Sequence, residues 1–309
     1  MLMYVDSILD LIGDTSVVKL QNVVSNECAA VWAKLENLNP AGSIKERITI
    51  RMLEDAEQRG LISPDKTTII EPTSGNTGIG MAFVCAVKGY KLILTMPDNM
   101  SLERKQILAA FRVKLVLTDK KLEISGAIDK ANEILKYIPD GFMPQQFTNK
   151  ANTEVHSNIT GVEIIEQIPG KVDAFVAGVG TGGTLTGIGK TLRKRYPDVR
   201  IYAVEPEESP VLSGGTPGNH GIQGIGIGFI PQILDTTIYD DVIKVKTEDA
   251  IAFTRQLASK EGILVGISSG ASGYGAVKIA KYLGPGKNIV TIFSDSGERY
   301  LTTGLFDRN

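Results

Sequence analysis

Apolar and polar positions alternate with two different periods along this chain. Thr68–Glu71, Lys91–Met96 and Val113–Leu117 are short apolar runs rich in β-branched residues, and they predict strands. Asn76–Lys88, Ser101–Phe111 and Glu123–Tyr137 space their apolar residues as helices do. After a long helix predicted over Asn152–Gln167, the alternation resumes. Strands at Ala174–Ala177 and Arg200–Val204 flank a glycine-rich helix. A strand at Val242–Val245, a helix reaching about Lys260 and a last strand at Asn288–Phe293 follow. Strand–helix alternation of this kind predicts an α/β fold of mostly parallel sheets covered by helices. So many strands would strain one sheet, which predicts two. Turn residues cluster at Asn37–Gly42 and Asn149–Asn152, marking boundaries near Leu38 and Phe147. Ser209–Gly228 is glycine-rich and aperiodic, and loops of that length are usually functional or mobile.

Composition narrows the class. The 309 residues are 42% hydrophobic and 22% charged, with a net charge of −2, so no basic surface for nucleic acid is expected. The N-terminus carries Asp6, Asp10 and Asp14 and does not read as a signal peptide, and the apolar runs are too short to span a bilayer. Cys28 and Cys85 form no C-x-x-C pair and read as reduced structural thiols, which predicts a cytoplasmic protein. His156 and His220, the chain's two histidines, begin no metal motif, so neither a zinc site nor a Ser-His-Asp triad is expected.

Four segments carry candidate chemistry. Ser43-Ile44-Lys45-Glu46 fits the S-x-x-E capping box, which puts Lys45 in a helix's first turn, where a cation opposes the helix dipole. That placement helps lower an amine's pKa and suits a Schiff-base nucleophile. Thr73–Gly78 offers hydroxyls, an amide and backbone N–H groups at a helix start, suited to a carboxylate or phosphate. Gly178-Val179-Gly180-Thr181-Gly182-Gly183 follows a strand and matches G-x-G-x-x-G, with Glu205 about where a ribose-binding acid would stand. This motif alone admits NAD or a smaller phosphate, and a plain glycine turn as well. Gly266-Ile267-Ser268-Ser269-Gly270 precedes a further helix.

In this order the segments resemble the fold-type II pyridoxal-phosphate enzymes (the tryptophan synthase β-like fold) and, more narrowly, the cysteine synthase (O-acetylserine sulfhydrylase) family. The resemblance also takes in Ile12-Gly13-Asp14-Thr15, Pro144-Gln145-Gln146-Phe147, His220–Pro231 and Gly297-Glu298-Arg299-Tyr300-Leu301, and so covers nearly the whole chain. It implies pyridoxal 5'-phosphate rather than NAD. It further implies that Lys45 binds the cofactor aldehyde and acts as general base, and that Asn76 bonds the ring hydroxyl oxygen. Gly180, Thr181, Gly182, Gly183 and Thr184 would hold the phosphate and Ser268 would meet the pyridine nitrogen. Thr73, Ser74, Gly75, Thr77 and Gln146 would grip the substrate carboxylate, and Gly224, Ile225, Gly226 and Ile227 would form an entrance loop. A smaller, mobile domain over 40–147 would carry the carboxylate loop, and a larger one (1–39 plus 148–309) the phosphate site.

The implied reaction is β-replacement through an aminoacrylate: O-acetyl-L-serine and sulfide give L-cysteine and acetate. The alternative starts from L-cysteine and releases hydrogen sulfide, with lanthionine, cystathionine or serine as product. The family also forms homodimers and receives the C-terminal tail of serine acetyltransferase at its active-site mouth. This sequence departs from the family at Glu46 for aspartate, at Glu123-Ile124-Ser125 for Gly-Met-Lys, at Gly221 for lysine, at Ile227 for alanine and at Arg112 for glycine. Ile227 would add bulk at the mouth. A non-catalytic peptide-binding protein and a nicotinamide oxidoreductase are the readings from other classes.

Overall fold

A computed structural model describes residues 4–73 and 75–307. In chain order the elements are β1 (Val17–Lys19), β2 (Ala30–Leu35), α1 (Lys45–Gln58), β3 (Thr68–Pro72), α2 (Asn76–Lys88), β4 (Lys91–Pro97), α3 (Leu102–Ala110), β5 (Lys114–Thr118), α4 (Glu123–Leu135) and β6 (Gly141–Phe142). Then come α5 (Lys150–Val155), a π turn (His156–Thr160), α6 (Gly161–Gln167), β7 (Ala174–Gly178), α7 (Gly183–Arg195), β8 (Arg200–Pro206), β9 (Asp241–Val245), α8 (Thr247–Gln256), α9 (Ile267–Leu283) and β10 (Asn288–Phe293). Among the described residues the strands form two sheets. One has the order β1-β2-β10-β7-β8-β9, the other β5-β4-β3-β6. Every pairing is parallel except β1 with β2. The smaller sheet draws all its strands from residues 68–142, whereas the larger one joins both ends of the chain.

The strands are buried on both faces, and their period of two divides the side chains between separate cores. On the larger sheet Ala174, Val176, Val204 and Ile289 face the core shared with α8 and α9. Phe175, Ala177, Ile201, Ala203 and Val290 face the one shared with α6 and α7. On the smaller sheet Ile69, Leu92 and Leu94 pack with Ile48, Met52, Ile79 and Phe83 of α1 and α2, while Ile70 and Ile93 meet Ala131 of α4. α2 is buried continuously from Thr77 to Cys85, so it reads as apolar all round rather than amphipathic.

Three sequence expectations need correction. The helix expected over Asn152–Gln167 is α5 and α6 joined through the π turn, a feature that often marks functional sites. β2 was not expected, because Lys34 interrupts its apolar run. That lysine is fully buried, bonding Thr15 O, Gln167 Oε1 and Glu163. The capping box is half formed: Glu46 accepts from Ser43 N–H (2.8 Å), but Ser43 Oγ accepts from Lys45 N–H (3.3 Å) and Ile44 stands at the cap. Arg112, where glycine is common in the family, has φ 56° just past the end of α3, and its N–H donates to Ala109 O. That left-handed backbone favours glycine.

Candidate active site

The C-terminal ends of the parallel strands are where an open α/β sheet places its ligands. β7 ends in the glycine turn leading to α7, β3 ends in Thr73–Thr77 leading to α2, and β10 ends at Ser294-Asp295. These segments and the start of α1 surround one pocket. Lys45, Asn76, Gly180, Thr181, Gly182, Thr184, Gly224, Ile225 and Ser268 line it, with Ile44, Ala177, Leu185 and Ile292 as apolar walls. Residues scattered over more than two hundred positions in the sequence thus converge. Gly183 lies behind the turn against Asn152, and Gly226 and Ile227 lie on the Ser209–Gly228 loop outside the lining.

Lys45 is the first residue of α1 and is part-buried. Burial pushes its amine down to about 8, against the opposing pull of the Asp295 carboxylate. Beneath it, Arg47 anchors the helix with two forks. Its Nε and Nη2 donate to Glu36 (2.6 and 2.9 Å), and its Nη1 and Nη2 donate to Glu163 (2.7 Å each). The Arg47 and Glu36 side chains are 2% and 0% exposed, so this is a core ion cluster fixing α1 to the turn that follows β2 and to α6. Glu46, buried beside it, accepts from Ala41 and Ser43 N–H groups, and burial raises its carboxyl to about 7.

The glycine turn sits at the start of α7, where backbone N–H groups lack helical partners. A Cβ on Gly180 would collide with Gly224 O, so the turn closes against the Ser209–Gly228 loop only with glycine there, and Gly182, at φ 84° and packed on Leu234, favours glycine for its left-handed backbone. Glu205 pins that loop. Its carboxylate accepts from Leu212 N–H (2.7 Å), Ser213 N–H (3.2 Å) and Ser213 Oγ–H (2.5 Å), leaving it no role at a ribose.

The Thr73–Thr77 segment adjoins the pocket through Asn76. Thr73 Oγ1 accepts from Gly75 N–H (3.0 Å) and Gly78 N–H (3.1 Å). Thr77 donates to Gln146 Oε1 (2.7 Å), whose Nε2 reaches Pro72 O (3.2 Å). Buried Glu71 holds the Gln145 and Gln146 N–H groups (2.9 and 3.0 Å), and burial raises its carboxyl to about 7. Thr73, Gly75, Thr77 and Gln146 therefore form one cluster; Ser74 lies outside the described residues. Asn76 is fixed at both ends of its amide, Nδ2 donating to Asp295 Oδ2 (2.7 Å) and Oδ1 accepting from Arg299 Nη1 (2.5 Å). Its second Nδ2 hydrogen is left for the pocket. Asp295, whose Oδ2 also accepts from the Tyr300 hydroxyl (2.7 Å), was missed in the sequence, because its partner Asn76 lies 219 residues away.

Residues 8–295 match the model of the family described as pyridoxal-phosphate dependent enzyme. The chain belongs to that family. This pyridoxal-phosphate dependent enzyme is 56% identical over 303 residues to cysteine synthase of Staphylococcus aureus (strain Mu50), covering 98% of this chain and 97% of the relative. Among solved structures it is similar to a hydrogen sulfide-producing enzyme from Fusobacterium nucleatum, with TM-score 0.93 and 44% identity, covering 96% of this chain and 100% of that one. It is similar too to the cysteine synthase of Entamoeba histolytica (TM-score 0.93, 40% identity, 99% and 93% coverage). An O-acetylserine dependent cystathionine beta-synthase from Helicobacter pylori gives TM-score 0.94, 40% identity and coverage of 99% and 100%. The enzyme is thus a cysteine synthase homologue with a fold-type II architecture, and the nicotinamide and non-catalytic readings fall away. Among the described residues no helix is long and apolar enough to cross a membrane.

The residues present fit the family's cofactor. Hydroxyls of Thr181 and Thr184 and the N–H groups at the start of α7 gather where the glycine turn lines the pocket, a setting suited to a phosphate. An amine of depressed pKa shares the pocket with apolar walls suited to a ring, and Ser268, 5% exposed, offers a hydroxyl from the first turn of α9.

Proposed function

We propose that this enzyme carries out β-replacement on an amino acid, converting O-acetyl-L-serine and sulfide into L-cysteine and acetate. The observation that carries the reading is the convergence of Lys45, the Gly180–Thr184 turn and Ser268 on one pocket that meets the Thr73–Gln146 cluster at Asn76. Gly180, Thr181, Gly182, Gly183 and Thr184 would hold the cofactor phosphate, Asn76 the ring oxygen and Ser268 the ring nitrogen. When bound, pyridoxal phosphate supplies an aldehyde for the substrate amine and an electron sink for the pair left at Cα. Ser268, a hydroxyl rather than a carboxylate, does not force a proton onto the ring nitrogen. That restrains the sink and favours expulsion of the β-substituent.

Thr73, Ser74, Gly75, Thr77 and Gln146 bind and orient the substrate carboxylate. Lys45 takes the Cα proton as general base. With its amine near 8, a usable neutral fraction is present at neutral pH. The Ser209–Gly228 loop, through Gly224 and Ile225, walls the pocket and limits water, and Gly226 and Ile227 shape the approach of the second nucleophile.

A second reading keeps this machinery but starts from L-cysteine and releases hydrogen sulfide. Ile227, in place of the family's alanine, favours it by changing the mouth through which the thiol arrives, and it bears equally on docking of a serine acetyltransferase tail. The residues at 40–147 act as the smaller, mobile domain that closes the carboxylate loop over the substrate, the enzyme works as a homodimer, and its place is the cytoplasm. Initial rates with O-acetylserine plus sulfide against those with cysteine alone test the assignment. Faster turnover of the first pair is expected, and product mass identifies the nucleophile. Preferential consumption of cysteine would replace the first reading by the second.

A further inference from the structure

Two buried side chains one helical turn apart, Asn152 and His156, reach from α5 and the π turn toward the glycine turn, and neither lines the pocket. Glycine in α7 allows the approach. A Cβ on Gly183 would collide with Asn152 Oδ1, and one on Gly187 would stand 2.7 Å from His156 Cβ. Asn152 Nδ2 donates to Gln146 O (2.8 Å) and to Thr181 Oγ1 (3.2 Å). Gln146 O is a carbonyl and can only accept, which fixes the amide's orientation. Thr181 Oγ1 also lies within reach of Gly183 N–H (3.5 Å), so its oxygen is supplied with donors and its own proton is free.

His156 makes the same arrangement at Thr184. Its Nδ1 meets Thr160 Oγ1 at 3.0 Å and its Nε2 meets Thr184 Oγ1 at 3.2 Å. Thr160 is fully buried, and its hydroxyl makes no other hydrogen bond among the described residues. If Nδ1 carried the proton, the Thr160 hydroxyl hydrogen would be left in the core without an acceptor, a penalty of about 1–3 kcal/mol. If Nδ1 accepts from Thr160, Nε2 carries the hydrogen and donates to Thr184 Oγ1. The Thr184 proton is then free to point into the pocket. Burial, with the Arg47 and Lys45 cations, pushes the imidazole well below its usual range, so it stays neutral.

We propose that His156, as the Nε2–H tautomer, is a positioning residue that donates to the Thr184 hydroxyl oxygen and thereby aims the Thr184 proton at the cofactor phosphate. This rests on the reading that the Gly180–Thr184 turn holds that phosphate. Asn152 stands to Thr181 as His156 stands to Thr184. Both threonine hydroxyls are thus prepared as donors before the anion arrives, rather than spending their protons on the protein.

The test needs no substitution at first. In wild-type holoenzyme labelled with 15N-histidine, long-range 1H–15N correlations should show His156 protonated at Nε2 alone. An Nδ1–H tautomer or an imidazolium would overturn the proposal. Two variants then separate donor from bulk. In His156→Gln the amide nitrogen reaches the place of Nε2, so the 31P resonance of bound pyridoxal phosphate and the rate of cofactor release should stay near wild type. In His156→Asn the donor falls short, so the 31P resonance should move and release should be about tenfold faster or more. Identical behaviour of the two variants, whether wild-type-like or impaired, would contradict an aimed donor. Absence of a protein-bound 31P resonance in the wild type would instead refute the phosphate reading itself.

Discussion

Replacing Arg47 by methionine tests how strongly the buried ion cluster holds the helix that carries Lys45. Arg47 gives four bonds of 2.6–2.9 Å to Glu36 and Glu163 and a longer one, 3.3 Å, to Thr15 Oγ1. Methionine restores most of the volume but leaves two carboxylates in the core, with Lys34 as the nearest cation. Breaking a buried pair by removing one partner costs about 3–5 kcal/mol. Against a typical stability of about 5–15 kcal/mol, that is a large fraction.

The pH dependence carries its own signature. Burial pushes the Glu36 and Glu163 carboxyls up, but the Arg47 guanidinium holds both below the usual range. Their stabilisation is therefore present above the unfolded carboxylate value and is lost as pH falls through the depressed folded one. Without Arg47 both carboxyls rise and take up protons more readily. The gap between variant and wild type should then be widest near neutral pH and narrow as pH falls toward about 4.5. Trp32, the sole tryptophan, lies in β2 two residues from Lys34 and reports on this region. Urea unfolding of the holoenzyme followed by its fluorescence measures the difference. A loss under about 1 kcal/mol at neutral pH, or a gap that widens on acidification, would refute the account.

Other consequences are equally direct. Glu71, raised to about 7 by burial, holds a proton in the folded chain that the unfolded chain releases near 4.5, so stability should decline as pH rises between those values. Glu71→Gln should flatten that decline in a thermal-melting series, and an unchanged slope would place its origin elsewhere. Arg112→Gly relieves the left-handed backbone at an exposed position and should raise stability by about 0.5–1 kcal/mol in urea titrations; a loss would show that φ 56° carries no strain. Ile227→Ala should shift the preference among thiol nucleophiles while cofactor binding stays put. Unchanged kinetics with every thiol would remove Ile227 from the mouth of the site.

Much of this architecture was legible in the sequence, for identifiable reasons. Parallel strands buried on both faces, such as Ala174–Ala177 and Asn288–Phe293, read as apolar runs, and the turns after β3 and β7 announced themselves through small and glycine residues. β2 was hidden because Lys34 looks like a surface residue, and two of its buried partners, Glu163 and Gln167, lie more than a hundred positions away. The π turn left no mark, since its residues keep helical spacing. The supports of the site were illegible for the same reason as β2. Asn76 depends on Asp295 and Arg299, and Thr184 meets His156, pairings that only the assembled fold creates. Glu205 misled in the opposite direction, standing at a motif's spacing while its carboxylate ties down a loop.

The central claim is that the Lys45 amine binds the aldehyde of a coenzyme seated by its phosphate in the Gly180–Thr184 turn. Borohydride reduction of the purified holoenzyme followed by peptide mass mapping tests it in one step. The account predicts a single reduced pyridoxyl adduct on the peptide containing Lys45, absent from Lys45→Ala. An unmodified Lys45 peptide, or an adduct on another lysine, would contradict it.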